Sequence, residues 1–270
     1  MDTNHIHQQA IGVFDSGIGG LTVANAIHTH LSKESIYYFG DTNRIPYGTK
    51  PASTVLQYCM EISQFLLDQS CKVIVVACNT ATAAALPQLR ATWPQVPFVG
   101  MEPAVKPAVS ATKTGKIGVL ATQTTFKSPR YQRLLERFVE SYECFENPCI
   151  GLVELIEAGC WDSRETETLL RSIVEPMLAK GVDTLVLGCT HYPFVKELLQ
   201  RIAGPAVQII DPAPAIARRL ESILIDKGWQ RQRETKPEQK FWVSGDKDAL
   251  EKALSRLDFQ NPNIFRFQSQ

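Results

Sequence analysis

The sequence has no charge surplus to offer a polyanion: Lys+Arg and Asp+Glu both number 28. Neither nucleic acid nor an anionic membrane is therefore expected as a partner. No apolar run approaches the roughly 20 residues that cross a bilayer. The polar start, Met1–Ala10 with His5 and His7, lacks the basic and apolar regions of a signal peptide. The cytoplasm is the expected compartment. Seven cysteines (Cys59, Cys71, Cys78, Cys144, Cys149, Cys160 and Cys189) make an odd, irregularly spaced set with no C-x-x-C. They do not pair with histidines at zinc-site intervals, so free thiols are expected rather than a disulfide framework or a metal site. Most should be small buried hydrophobes. There is no G-x-G-x-x-G and no P-loop, which leaves nucleotide binding without a signature.

What is present is an ordinary globular composition, 44% hydrophobic and 21% charged over 270 residues. That length suits two modest domains. The two halves repeat each other. Ile11-Gly12-Val13-Phe14-Asp15-Ser16 matches Ile117-Gly118-Val119-Leu120-Ala121-Thr122 at an offset of 106 residues. Val73 to Thr80 matches Thr184 to His191, and Val96 to Val99 matches Val207 to Ile210, both at an offset of 111. Chance likeness between Val/Ile-rich strands does not explain three matches in the same order.

Each repeated segment reads as a parallel strand buried on both faces. Helical patterns lie between them: Thr54–Ser70 behind a Ser53 cap, Pro129–Val139, and a helix after the capping box Asp162-x-x-Glu165 that runs toward Lys180. Pro176 predicts a kink or early stop in the last. The tail reads as a helix over Pro212–Lys227, a polar loop to Lys240, a strand Lys240–Val243, a helix Asp246–Leu257 and a strand Asn263–Phe267. The expected fold is α/β, with two pseudo-symmetric parallel-sheet lobes and the active site in the cleft between them. Residues 1–103 form the first lobe, with 212–270 packing back onto it, and 104–211 form the second.

Ligands of open parallel sheets bind beyond the carboxyl ends of the strands. Cys78 and Cys189 stand at two such ends, after the small residues Ala77 and Gly188. Asn79-Thr80 and Thr190-His191 follow them, with amide, hydroxyl, imidazole and helix N-terminal N–H groups suited to a carboxylate. A disulfide or a metal pair also uses two thiols. Racemisation fits better, because one group must take a proton from one face of a carbon and another must return it to the opposite face. A thiol, with an ordinary pKa of about 8.5, serves as acid or base. At a third strand end, Asp15 in Asp15-Ser16-Gly17-Ile18-Gly19-Gly20 either caps the following helix or polarises a thiol. Tyr47 of Pro46-Tyr47-Gly48 can hydrogen-bond a ligand.

With D-S-G-I-G-G, P-Y-G, A-C-N-T and G-C-T-H-Y-P in this order, the chain resembles the glutamate racemase family from about Ile11 to Asp211, and the resemblance continues through the tail. The four motifs together are highly specific. The resemblance implies interconversion of L- and D-glutamate without pyridoxal phosphate, metal or any other cofactor, to supply D-glutamate for peptidoglycan. It implies that Cys78 acts on the α-proton of D-glutamate, assisted by Asp15. Cys189 would act on that of L-glutamate, assisted by His191 with Glu154 of Gly151-Leu152-Val153-Glu154. Asp15, Ser16, Tyr47, Gly48, Asn79, Thr80, Thr190 and His191 would bind the substrate. As partners it implies glutamate, a second copy of the chain in a homodimer, and regulation by a peptidoglycan precursor. Aspartate racemase or another two-cysteine racemase, such as a hydantoin racemase, is the alternative within the family. A binding protein that keeps the fold but not the activity is the alternative from another class, and the intact cysteines speak against it.

Overall fold

The computed structural model describes residues 3–138, 142–232 and 236–267. Met1, Asp2 and Val139 (the expected end of the helix from Pro129) lie outside the described residues. The described strands, in chain order, are β1 (Ala10–Asp15), β2 (Ile36–Gly40), β3 (Cys71–Val76), β4 (Phe98–Gly100) and β5 (Lys116–Ala121). They continue as β6 (Glu143–Asn147), β7 (Thr184–Gly188), β8 (Gln208–Ile210), β9 (Gln239–Val243) and β10 (Asn263–Arg266). The chain divides into two compact units, one of Met1–Met101 with Ala213–Gln270, the other of Glu102–Pro212.

The first unit holds a six-stranded sheet ordered β10-β9-β2-β1-β3-β4, and the second a four-stranded sheet ordered β6-β5-β7-β8. All pairings are parallel. The fold is thus two parallel-sheet α/β lobes. Strand for strand, β2-β1-β3-β4 and β6-β5-β7-β8 have the same topology, so the sequence repeat is also a structural one. Central strands are apolar on both faces because helices cover both: β1, β3 and β7 are buried at every position.

In the first unit Phe14, Phe39, Ile62, Leu66, Ile74, Val76 and Leu86 share one core. The tail belongs to this unit, since β9 pairs with β2 and β10 with β9. Phe267 and Trp242 from the tail pack edge-on against Phe65. At the N-terminal edge of the sheet, Lys72 donates to Glu34 at 2.7 Å and to the Trp229 carbonyl at 2.8 Å. The other oxygen of Glu34 accepts from the Arg231 backbone N–H at 2.8 Å, so this buried ion pair ties the tail to the sheet. In the second unit Ile117, Val119, Val186, Val105 and Tyr131 form the core.

Several local expectations shift. The second helix begins at Ala52 behind Pro51, which leaves Ser53 inside it. The helix Arg164–Ala179 is capped by Ser163, whose Oγ accepts from Thr166 N–H at 3.2 Å, rather than by Asp162. Pro176 does not stop it. Pro176 and Ser172, four residues earlier, are both exposed, so the carbonyl that the missing N–H leaves free lies on the solvent side. The tail helix expected over Asp246–Leu257 is shorter, Asp248–Leu254. Among the described residues no helix is long and apolar enough to cross a membrane.

Candidate active site

In each sheet the chain winds outward from the first strand in one direction and then, after returning, in the other. The loops part at that switch point and leave a crevice beyond the strand ends. In the first unit it lies between β1 and β3, where Asp15 and Cys78 emerge. Cys78, extended at φ −99° and ψ 125°, caps the helix Asn79–Thr92. Its sulfur accepts the Ala81 N–H at 3.4 Å, and its thiol donates toward Ser16 Oγ at 3.7 Å. A sulfur that receives an N–H at a helix N-terminus is in a setting that favours negative charge.

Asp15 is fully buried. Its carboxylate accepts from Gly17 N–H at 3.3 Å and Gly20 N–H at 2.9 Å, which winds the D-S-G-I-G-G loop around it. Gly20 permits this approach, because a Cβ there would fall 2.5 Å from Asp15 Cβ. These bonds fold the loop ahead of the helix Leu21–His30 onto the carboxylate. The adjacent Ser16 brings a hydroxyl to the thiol.

Asn79 is buried, and neither atom of its carboxamide has a hydrogen-bond partner. A buried unsatisfied polar group costs about 1–3 kcal/mol, a cost that a bound ligand would remove. Thr80 is buried beside it. Tyr47 is also buried, and its hydroxyl donates to Asp41 rather than standing free. Burial and the neighbouring Asp41 carboxylate push this phenol far above its ordinary range, so it remains a donor. Gly48 shares the short 3-10 turn Tyr47–Thr49.

The second unit repeats the plan with different groups. β5 ends in Ala121, where β1 ends in Asp15. Gly188, paired with Ala121, brings β7 in close: a Cβ there would meet Ala121 Cβ at 2.7 Å and the Leu120 carbonyl at 2.8 Å. Cys189 follows, buried, with its sulfur 3.7 Å from His191 Nδ1. Thr190 and His191 are buried as well. No α-helix opens here as one does after Cys78. A 3-10 turn over Tyr192–Val195, with Pro193 at its start, precedes the helix Lys196–Ala203.

His191 Nε2 meets Glu157 Oε1 at 2.6 Å. Burial opposes the imidazolium, but the bonds to Cys189 and Glu157 outweigh it and hold His191 well above the ordinary histidine value. The carboxylate on His191 is therefore Glu157, not Glu154. Glu154 is exposed one helical turn earlier, in an open groove with Leu155, Arg164 and Leu169. The helix Leu152–Glu157 is fixed by Trp161, whose indole N–H donates to the Ile156 carbonyl at 2.8 Å. The Trp161 ring stacks on Phe194 of the turn that follows His191.

All seven cysteines are free. Burial pushes the thiols of Cys144 and Cys149 up to about 11 and 12, and those of Cys59 and Cys71 upward too, which suits them to packing. Among the described residues no group of three or more His, Cys, Asp or Glu side chains is placed to hold a metal ion.

A repeated α/β unit with a thiol at each switch point defines a class, and the chain belongs to it: it is a member of the Asp/Glu/hydantoin racemase family, matched over residues 12–220. It is therefore a racemase, an isomerase. Within the family its likeness is to glutamate racemases. That of Ectopseudomonas mendocina is 47% identical over 252 residues, covering 93% of this chain and 95% of the relative. The crystal structure of glutamate racemase isoform RacE1 from Bacillus anthracis is 34% identical with a TM-score of 0.86, covering 97% of this chain and 98% of that one. The structure of Escherichia coli glutamate racemase in complex with L-glutamate and the activator UDP-MurNAc-Ala is 30% identical with a TM-score of 0.84, covering 96% and 98%.

Proposed function

We propose that this chain interconverts L- and D-glutamate by a cofactor-independent two-base transfer, with Cys78 and Cys189 acting on opposite faces of one α-carbon. The observation that carries the reading is the pair of thiols at equivalent switch points of a repeated unit, each with its own polar surroundings. From L-glutamate, the Cys189 thiolate takes the α-proton: the C–H bond breaks, an S–H bond forms, and the electron pair stays on carbon. The Cys78 S–H then breaks and its proton bonds to the opposite face, leaving a Cys78 thiolate and D-glutamate. The reverse reaction exchanges the roles.

His191, kept protonated between Glu157 and Cys189, supports negative charge on the second sulfur. Ser16 and the Ala81 N–H do the same work at the first, and Asp15, which anchors the loop that carries Ser16, assists Cys78 by positioning it. Asn79, Thr80, Thr190 and the Tyr47–Gly48 turn are the groups for the amino acid's carboxylates and amine. Fixed donors on the α-carboxylate lower the cost of the carbanion as it develops.

The product serves peptidoglycan synthesis in the cytoplasm. A homodimer and a peptidoglycan precursor as regulator complete the reading, the latter supported by the activator bound in the E. coli protein. Purified protein should racemise L- and D-glutamate, followed by circular dichroism, and leave L-aspartate unchanged. Activity on aspartate alone would overturn the assignment.

A further inference from the structure

Asp41, just after β2, is completely buried. A buried carboxylate is tolerated only where donors fill its oxygens. Oδ2 takes the Tyr47 hydroxyl at 2.5 Å and Arg44 Nε at 2.7 Å, both local. Oδ1 takes Ser244 Oγ at 2.9 Å, from a residue 203 positions away in the tail, directly after β9. Ser244 is itself held at several points. Its N–H donates to the Gly40 carbonyl at 3.0 Å, its hydroxyl accepts from Asn43 N–H at 3.0 Å, and its carbonyl accepts from Asn43 Nδ2.

The next residue tightens the joint. Gly245 N–H donates to Thr42 Oγ1 at 3.0 Å, and a Cβ on Gly245 would lie 2.6 Å from that oxygen. On the other side of Asp41, Arg44 sits over the Tyr58 ring at 4.1 Å, and Tyr58 packs on Tyr47 at 5.8 Å.

We propose that the tail supplies a positioning residue, Ser244, which acts through Asp41 to hold the Tyr47–Gly48 turn in its substrate-binding geometry. The inference rests on the reading above that this turn touches the amino acid. Without the Ser244 hydroxyl, Oδ1 is bare, the carboxylate is held on one side only by Arg44, and the Tyr47 hydroxyl has a less firmly fixed acceptor. The loss should fall on substrate binding rather than on proton transfer, because both thiols and His191 lie outside this network.

The test is steady-state racemisation in both directions with full-length wild type, Ser244→Ala and Ser244→Thr. Loss of one hydrogen bond to a charged group corresponds to about a tenfold effect. Ser244→Ala should raise KM about tenfold in both directions with kcat within about twofold, and Ser244→Thr should restore KM. Should the alanine variant not fold, Ser244→Cys, similar in size and a weaker donor, carries the same KM expectation. A lowered Tm with unchanged KM, or a KM defect that threonine does not restore, overturns the inference alone. Wild-type protein inactive on glutamate overturns the functional reading and this inference with it.

Discussion

Replacing Glu157 by glutamine removes one charge and leaves the helix Leu152–Glu157 intact, so it isolates the support that His191 receives. The contact is 2.6 Å, and the two side chains are only 2% and 15% exposed, so water screens it little. A hydrogen bond between charged groups contributes about 1.5–3 kcal/mol, and 1.4 kcal/mol is a factor of ten. A loss near 2 kcal/mol predicts that Glu157→Gln lowers kcat with L-glutamate about 30-fold. The pH profile should move as well. With the charge gone, less opposes the effect of burial, so the His191 value falls and the alkaline limb shifts to lower pH. The assay is initial-rate circular dichroism across pH for both enantiomers, with Glu154→Gln beside it as the comparison. Wild-type rates and an unchanged profile in Glu157→Gln, or a larger loss in Glu154→Gln, would refute the assignment of Glu157 as the partner of His191.

Single replacement of Cys78 or Cys189 by alanine should abolish racemisation in both directions, whereas Cys144→Ala, on an unrelated strand, should retain it. His191 also links stability to pH. Its folded value is raised, so its contribution is complete below the unfolded value of about 6.5 and is lost as pH rises through the folded value. Thermal melts from pH 5 upward should show this in wild type and to a lesser degree in Glu157→Gln. Lys72→Met strips Glu34 of its buried partner, and about 3–5 kcal/mol of stability should be lost in urea titrations.

Much of this fold is legible in the sequence because its central strands are buried on both faces and therefore written as continuous Val/Ile runs. Thr184–Gly188 reads directly, and the repeated offset exposes the duplication. β6 does not read at all. Glu143–Asn147 is a half-exposed edge strand whose mixed pattern resembles a loop. The thiols are legible by their place at strand ends. The support around them is not, since it depends on which way a helix faces. Glu154 and Glu157 lie one turn apart on the same short helix, and only the packing of Trp161 and His191 selects between them. Ser244 is further beyond reach, because β9 must first pair with β2 before residue 244 can meet Asp41.

The central claim, two bases on opposite faces, is tested most directly by racemisation in deuterated water with early sampling by mass spectrometry or proton NMR. The account predicts that deuterium appears in the product enantiomer in each direction while the remaining substrate stays protonated. Equal early labelling of substrate and product would mean that one group serves both faces, and would contradict it.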